Sequence, residues 1–343
     1  MVDSSDGRSR SPSVLRPFYA LDARWAAGAS VSTEERIDAV YAGGAIASQY
    51  HHRQDLAEVF AGWSRGLVGG WTRRLSVGVT AKDDAYGPEP GLVAPAQLPS
   101  DQKIVAPFVR YEVIEDDFQK RGNRNQMGRP EFFAMGFASK VQLGRSLTSL
   151  GASQDLWLYS GSVSTGFRPW EQHELLASAS ISGQYVSGQV RRQLLSANAR
   201  YYLPLSPRLL LYGSATADML TNPDPSDLLT LGGDNGLRGY PLRYQSGEHR
   251  ALLTLEARAF SDIYLWRLFR VGGAAFYDVG RAWGGTSQNA TNPGWLGNVG
   301  LGLRIFSVRA AFGNVLHADV AVPLNRDPAI KNVQFLLKTK TSF

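Results

Sequence analysis

Apolar residues fall at every second position over long stretches of this chain, and the positions between them carry charge. From 19 to 31, Tyr19, Leu21, Ala23, Trp25, Ala27, Ala29 and Val31 share one parity, while Asp22, Arg24, Gly28 and Ser30 share the other. Leu175, Ala177, Ala179, Ile181 and Tyr185 stand against Glu174, Ser178, Ser180, Ser182 and Gln184. Leu195, Ala197, Ala199, Tyr201 and Leu203 stand against Arg192, Ser196, Asn198 and Arg200, and Ala251, Leu253, Leu255, Ala257 and Ala259 against Arg250, Thr254, Glu256 and Arg258. A period of two is that of a β-strand with one apolar face. A soluble sandwich alternates too, but does not require long segments with aromatics at both ends. Here the segments are long, and Trp71, Trp157, Tyr159, Tyr185, Tyr201, Trp283 and Trp295 mark their ends. That pattern suits a transmembrane barrel with interfacial aromatic girdles, in which alternate side chains meet lipid and a wet lumen.

Composition agrees once it is read for a barrel. The chain has no run of eighteen apolar residues, which excludes a transmembrane helix. A mean hydropathy of −0.20 would ordinarily indicate a soluble protein, but in a barrel only every second side chain is lipid-facing. Thirty-six Gly and 11% aromatic residues suit many turns and girdles. The absence of Cys removes any disulfide or thiolate-metal chemistry and suits passage through an oxidising periplasm. The net charge of +6 is spread along the strands and not gathered in blocks, so nucleic acid is not an expected partner.

The alternating segments are 18–32, 34–49, 54–66, 69–83, 102–115, 117–124, 131–144, 154–168, 171–186, 188–204, 207–219, 248–262, 267–283, 294–307, 313–324 and 332–343. The expected fold is all-β, a transmembrane antiparallel barrel of about 16 strands. With the first strand running outward, 220–247 becomes the longest extracellular loop and 84–101 an unusually long periplasmic link. Residues 1–16 are polar, rich in Ser and Arg, and expected to form a disordered stub ahead of a barrel over 17–343. They contain no apolar core of a secretory signal, so the chain is expected to be the C-terminal part of a longer precursor.

Two motifs carry the functional reading. Residues 231–241 place Arg238 among Gly232, Gly233, Gly236 and Gly239, with Leu237 before it and Tyr240 after it. Farther along, Phe276, Asp278 and Gly280 share the inner parity of a strand whose Val271, Tyr277 and Val279 face lipid. A guanidinium in a confined lumen needs a carboxylate, and Asp278 is placed to supply it; Gly272 and Gly280 would leave room for loop backbone. The pair resembles the loop arginine and the barrel-wall Phe-x-Asp-x-Gly of the BamA-type superfamily of outer-membrane barrels, the bacterial surface antigens. The segments 300–304 and 317–324 are similar to that family's closing strands. A terminal Phe343 on an alternating strand resembles its C-terminal assembly signal, although Thr339 and Thr341 depart from the usual apolar residues.

The resemblance implies that Arg238 docks on Asp278 and holds the large loop inside the barrel. It also implies insertion or translocation of client polypeptides in the bacterial outer membrane, without a cofactor, through a weak seam between residues 18–32 and 332–343. The implied partners are membrane lipid, client polypeptides and the cell's barrel-assembly machinery. The family's periplasmic POTRA modules have no counterpart pattern here. Competing readings are a two-partner secretion transporter and a passive pore or structural barrel.

Other motifs lead to weaker chemistry. Gly62 to Gly66 match a nucleophile elbow around Ser64, but a strand and not a helix follows, so no enzyme is expected. His51 and His52 are expected to be solvated turn residues without a metal. Asn289 to Thr291 match a glycosylation acceptor that has no meaning in a bacterial outer membrane.

Overall fold

The computed structural model describes residues 2–4, 7–225, 227–285, 293–307, 309, 315–325, 328, 330–340 and 342. Its strands are β1 (Val2–Ser4), β2 (Gly7–Arg10), β3 (Ser13–Arg16), β4 (Trp25–Ala42), β5 (Ala45–Val68), β6 (Trp71–Pro88) and β7 (Gln102–Glu115). Then come β8 (Phe118–Gly122), β9 (Pro130–Ala134), β10 (Ala138–Ser146), β11 (Leu156–Phe167), β12 (Glu174–Val186), β13 (Gln189–Ser206) and β14 (Leu209–Thr221). The chain closes with β15 (Leu229–Leu231), β16 (Gln245–Gly247), β17 (His249–Leu265), β18 (Phe269–Trp283), β19 (Leu296–Ser307), β20 (Val315–Pro323) and β21 (Gln334–Lys340).

Seventeen of these strands form one antiparallel sheet that runs from β4 through β7, β10 to β14 and β17 to β21, with the short pieces β1, β2 and β3 at its N-terminal end. The alternation decides which way the sheet curls. Along β6, Thr72, Arg74 and Ser76 are buried while Leu75, Val77 and Val79 are exposed; along β18, Phe276, Asp278 and Gly280 are buried. Outward-facing Trp63, Val109, Leu143, Leu301 and Phe335 are all exposed, Leu301 by 68% and Phe335 by 79%. Buried polar groups and an exposed apolar belt are the reverse of a soluble domain and match a barrel with lipid outside. Among the described residues no helix is long and apolar enough to cross a membrane.

Turn chemistry sets the strand boundaries. Gly43 and Gly44 have φ of 59° and 84° and join Ala42 to Ala45, the two-residue turn in which both residues need positive φ. The chain therefore reverses once, there, and not at 33 and again at 50–53, so two long strands, β4 and β5, stand where three segments were expected. The loss of one reversal also places 84–101 at the same end as the 222–247 loop, not the opposite one. His51 and His52 lie inside β5, so they are not turn residues. Within the expected stub, β2 and β3 are ordered and pair with β4, matching Gly7 to Arg36 and Ser13 to Ser30. The expected sixth strand is not in the wall: among the described residues β8 pairs only with β9, and β7 pairs directly with β10.

Two hydrophobic clusters fill the interior. One joins Met127, Phe133 and Met135 to Tyr202, Leu210, Phe260, Ala274, Phe306 and Val315; the other joins Leu231, Leu237, Tyr240 and Tyr244 to Ala282, Leu296 and Ile330. Among the described residues β21 pairs in register with β20, matching Val315 to Lys340 and Ala321 to Gln334. The 222–247 loop bridges the two ends of the sheet. Arg243 lies over the Tyr41 ring of β4 at 4.5 Å, and Lys338 of β21 donates to Gly233 O at 2.8 Å.

Candidate functional site

The loop between β14 and β17 folds back before it reaches the wall. β15 and β16 pair in register Leu229 to Gly247 and Leu231 to Gln245, forming a neck. Beyond the neck, Asn235 organises the tip, accepting from Gly232 N at 2.6 Å and donating to Thr230 O at 2.6 Å. Leu237 N and Gly233 N donate to Gly232 O and Pro241 O, and Tyr240 N donates to Leu237 O at 3.0 Å. That last bond closes a turn with Arg238 at its apex. Leu237 and Tyr240 point into the second cluster, and Tyr240 Oη donates to Gly297 O at 2.9 Å.

Arg238 meets the wall as a fork. Its Nε and Nη2 donate to the two oxygens of Asp278, each at 2.8 Å, and its Nη1 donates to Glu256 Oε1 at 2.8 Å. Thr254 and Asn298 also donate to Asp278, at 2.9 and 2.8 Å. The guanidinium carbon lies 3.4 Å from the centre of the Phe276 ring. Glu256 in turn accepts from Arg258 Nε at 2.8 Å, and Asp319 accepts from Arg304 at 2.5 Å while standing 3.7 Å from Arg238. Three arginines thus interleave with three carboxylates from β17, β18 and β20. Buried charges are costly alone, and each here has an opposite neighbour. Burial by itself would lower the Arg238 pKa; its bonds to Asp278 and the charges of Asp278, Glu256 and Asp319 raise it above the ordinary value, so the lock stays charged.

Close backbone approach explains two glycines of the motifs. A Cβ at Gly239 would stand 2.6 Å from Asn298 Cβ, and one at Gly280 would stand 2.9 Å from Leu231 of the loop. Gly232 is equally confined, because a Cβ there would be 2.3 Å from Pro241 O, while Gly233 would be 2.7 Å from Tyr240 O.

The structure therefore brings together Gly232, Gly233, Leu237, Arg238, Gly239 and Tyr240 with Phe276, Asp278 and Gly280. Phe343 and Asn289 to Thr291 lie outside the described residues. The partners missed from sequence are Glu256, Arg258, Asn298, Arg304, Asp319 and Lys338. Their inward phase was a signal for the β17 pair, but the cross-strand register that aims them at Arg238 is not a local property. Ser64 is buried in β5 and its Oγ accepts from Gly66 N at 2.9 Å. His52 is buried between Asp38 and Asp84, at 2.9 and 3.2 Å.

No protein-family model matches the chain, and no curated protein does. Solved structures do. The barrel of BamA from Haemophilus ducreyi, in a structure lacking POTRA domains 1–3, is 13% identical over 98% of this chain and 63% of that one, with a TM-score of 0.51. CdiB from Escherichia coli is 12% identical over 100% of this chain and 64% of its own, with a TM-score of 0.46. CdiB from Acinetobacter baumannii is 13% identical over 97% and 58%, with a TM-score of 0.45. This chain spans less than two thirds of each of those chains. It has the fold of the BamA barrel.

Proposed function

We propose that this BamA-like barrel resides in the bacterial outer membrane and inserts or translocates other polypeptides. One observation carries the reading. The loop bearing Arg238 is locked to β17, β18 and β20 and also touches both β4 and β21, the first and last long strands of the sheet. A loop whose side chains tie the first and last long strands together can govern the opening of the sheet between them. The edge of β21 then offers N–H and C=O groups to an incoming strand. On the other side an incoming strand would have to displace β2 and β3 from β4. The activity involves no covalent chemistry and no cofactor. A passive pore is the competing reading, and the loop folded into the lumen argues against it.

The test uses liposomes containing the purified, folded chain and an unfolded outer-membrane barrel polypeptide as client. Client folding is followed by its gel shift without heating. Acceleration over empty liposomes, reduced in Arg238→Ala, supports the reading. Folding no faster than in empty liposomes, with a steady ionic conductance, would replace it with the passive pore.

A further inference from the structure

Between β7 and β10, which are adjacent in the wall, the chain spends residues 116–137 where a short turn would suffice. Among the described residues β8 and β9 pair only with each other, in register Phe118 to Ala134 and Gly122 to Pro130. The hairpin leaves the wall at the end opposite the 222–247 loop. Asp116 N donates to Gly70 O, Gly166 N to Met135 O, and Asn123 Nδ2 to Pro207 O, all at turns or strand ends of that rim.

Its tip crosses the lumen. Glu131 accepts from the backbone N–H groups of Arg124, Asn125 and Gln126 at 3.0 to 3.1 Å and so holds the tip as a closed turn. Arg121 and Arg124 both donate to Glu174, itself 3% exposed at the start of β12, the latter at 2.8 Å. Tyr202 Oη donates to Asn125 at 3.1 Å. Met127, 2% exposed, packs in the cluster that contains Phe306 of β19 and Val315 of β20. Those strands stand on the far side of the sheet from β7 and β10. A cavity of about 350 Å³ is lined by Ser162, Val163, Ser178, Ala179, Asn198 and Arg250.

Hairpin and loop meet in one chain of bonds. Arg238 donates to one oxygen of Glu256, Arg258 Nε donates to the other at 2.8 Å, and Arg258 Nη1 donates to Arg124 O at 2.9 Å. We propose that residues 118–134 are a second plug, which closes the lumen at the end opposite the Arg238 loop and is coupled to that loop through Glu256 and Arg258. The barrel then carries two closures in series, and unlocking either one weakens the other. This holds whether or not the barrel handles polypeptides.

The natural chain has no Cys, so a single introduced thiol is a clean probe. Met127→Cys, with Gln126→Cys as a second site should the first fail to fold, is reacted with a membrane-impermeant maleimide in liposomes. Protection in the otherwise native chain is expected, with labelling at least tenfold faster in Glu174→Gln. Arg238→Ala should also speed labelling severalfold, although the bonds of Arg238 go to Asp278 and Glu256 of the wall. In planar bilayers, replacing 119–133 by a short Gly-Ser turn should conduct weakly, and adding Arg238→Ala to it should give a steady pore. Labelling of the native background at the rate of unfolded protein would refute the plug. Arg238→Ala without effect on labelling would refute the coupling, as would full conductance from the turn replacement alone.

Discussion

Replacing Arg238 with alanine removes a guanidinium that donates two bonds to Asp278 and one to Glu256 and stacks on Phe276. Removing one partner of a buried ion pair generally costs about 3–5 kcal/mol, because the other charge is left without compensation. Here Asp278 keeps Thr254 and Asn298 as donors and Glu256 keeps Arg258, so the lower end, about 3 kcal/mol, is expected. Asp278→Ala should cost about the same, since Arg238 would retain Glu256 and the more distant Asp319. The double variant leaves neither charge stranded. Its loss should be about 3–4 kcal/mol instead of about 6, a coupling of about 2–3 kcal/mol. Arg238→Lys keeps the charge but not the fork and should fall between the wild type and the alanine variant. Denaturant unfolding in detergent, read by the gel mobility of unheated samples, gives all four values. Losses that add to within about 0.5 kcal/mol would show that the two residues do not interact in the folded protein.

Gly239→Ala should push the loop off Asn298, costing about 1–3 kcal/mol, and expose 222–247 to protease without altering the strand content seen by circular dichroism. Lys338→Ala removes the donor to Gly233 O and Asp234 O and should cost about 1 kcal/mol, concentrated in faster amide exchange along β21. Leu301→Arg sets a charge on an outer position that is 68% exposed, flanked by Ala275 and Val320 in register. It should destabilise the barrel by about 2–4 kcal/mol in bilayers if Leu301 lies at mid-depth, and little in a detergent that lets the side chain reach water. Equal losses in both media would argue against lipid contact there.

The barrel was legible because alternation is local. Whether Leu301 or Gly302 faces outward is settled by parity, as is the inward direction of Phe276, Asp278 and Gly280. The Arg238 and Asp278 pairing was legible for a related reason, since a loop arginine among glycines and an inward aspartate are each conspicuous in their own segment. Strand ends were less so. Alternation weakens in Ala42 to Ser48, and the turn at Gly43 and Gly44 hides within small residues, so two reversals were expected, at 33 and at 50–53, where the chain has one, and the extra reversal carried 84–101 to the wrong end. Residues 117–124 and 131–144 read as wall strands, although Gly122 to Asn125 show little alternation. Alternation marks a strand with two different faces, and it does not say whether the partner is the next strand of the barrel or a hairpin folded inside it.

By itself the amino-acid sequence determined a β-structure with an apolar outside, a charged inside and a loop arginine needing a carboxylate, because each follows from periodicity and the cost of a lone buried charge. Only the tertiary structure decided that Arg238 also binds Glu256, that Arg258 carries the contact on to the 118–134 hairpin, and that the loop spans β4 and β21. Those contacts join residues as far apart as Arg124 and Arg258, and what brings them together is the register of many strands around a curved wall, which no single segment contains.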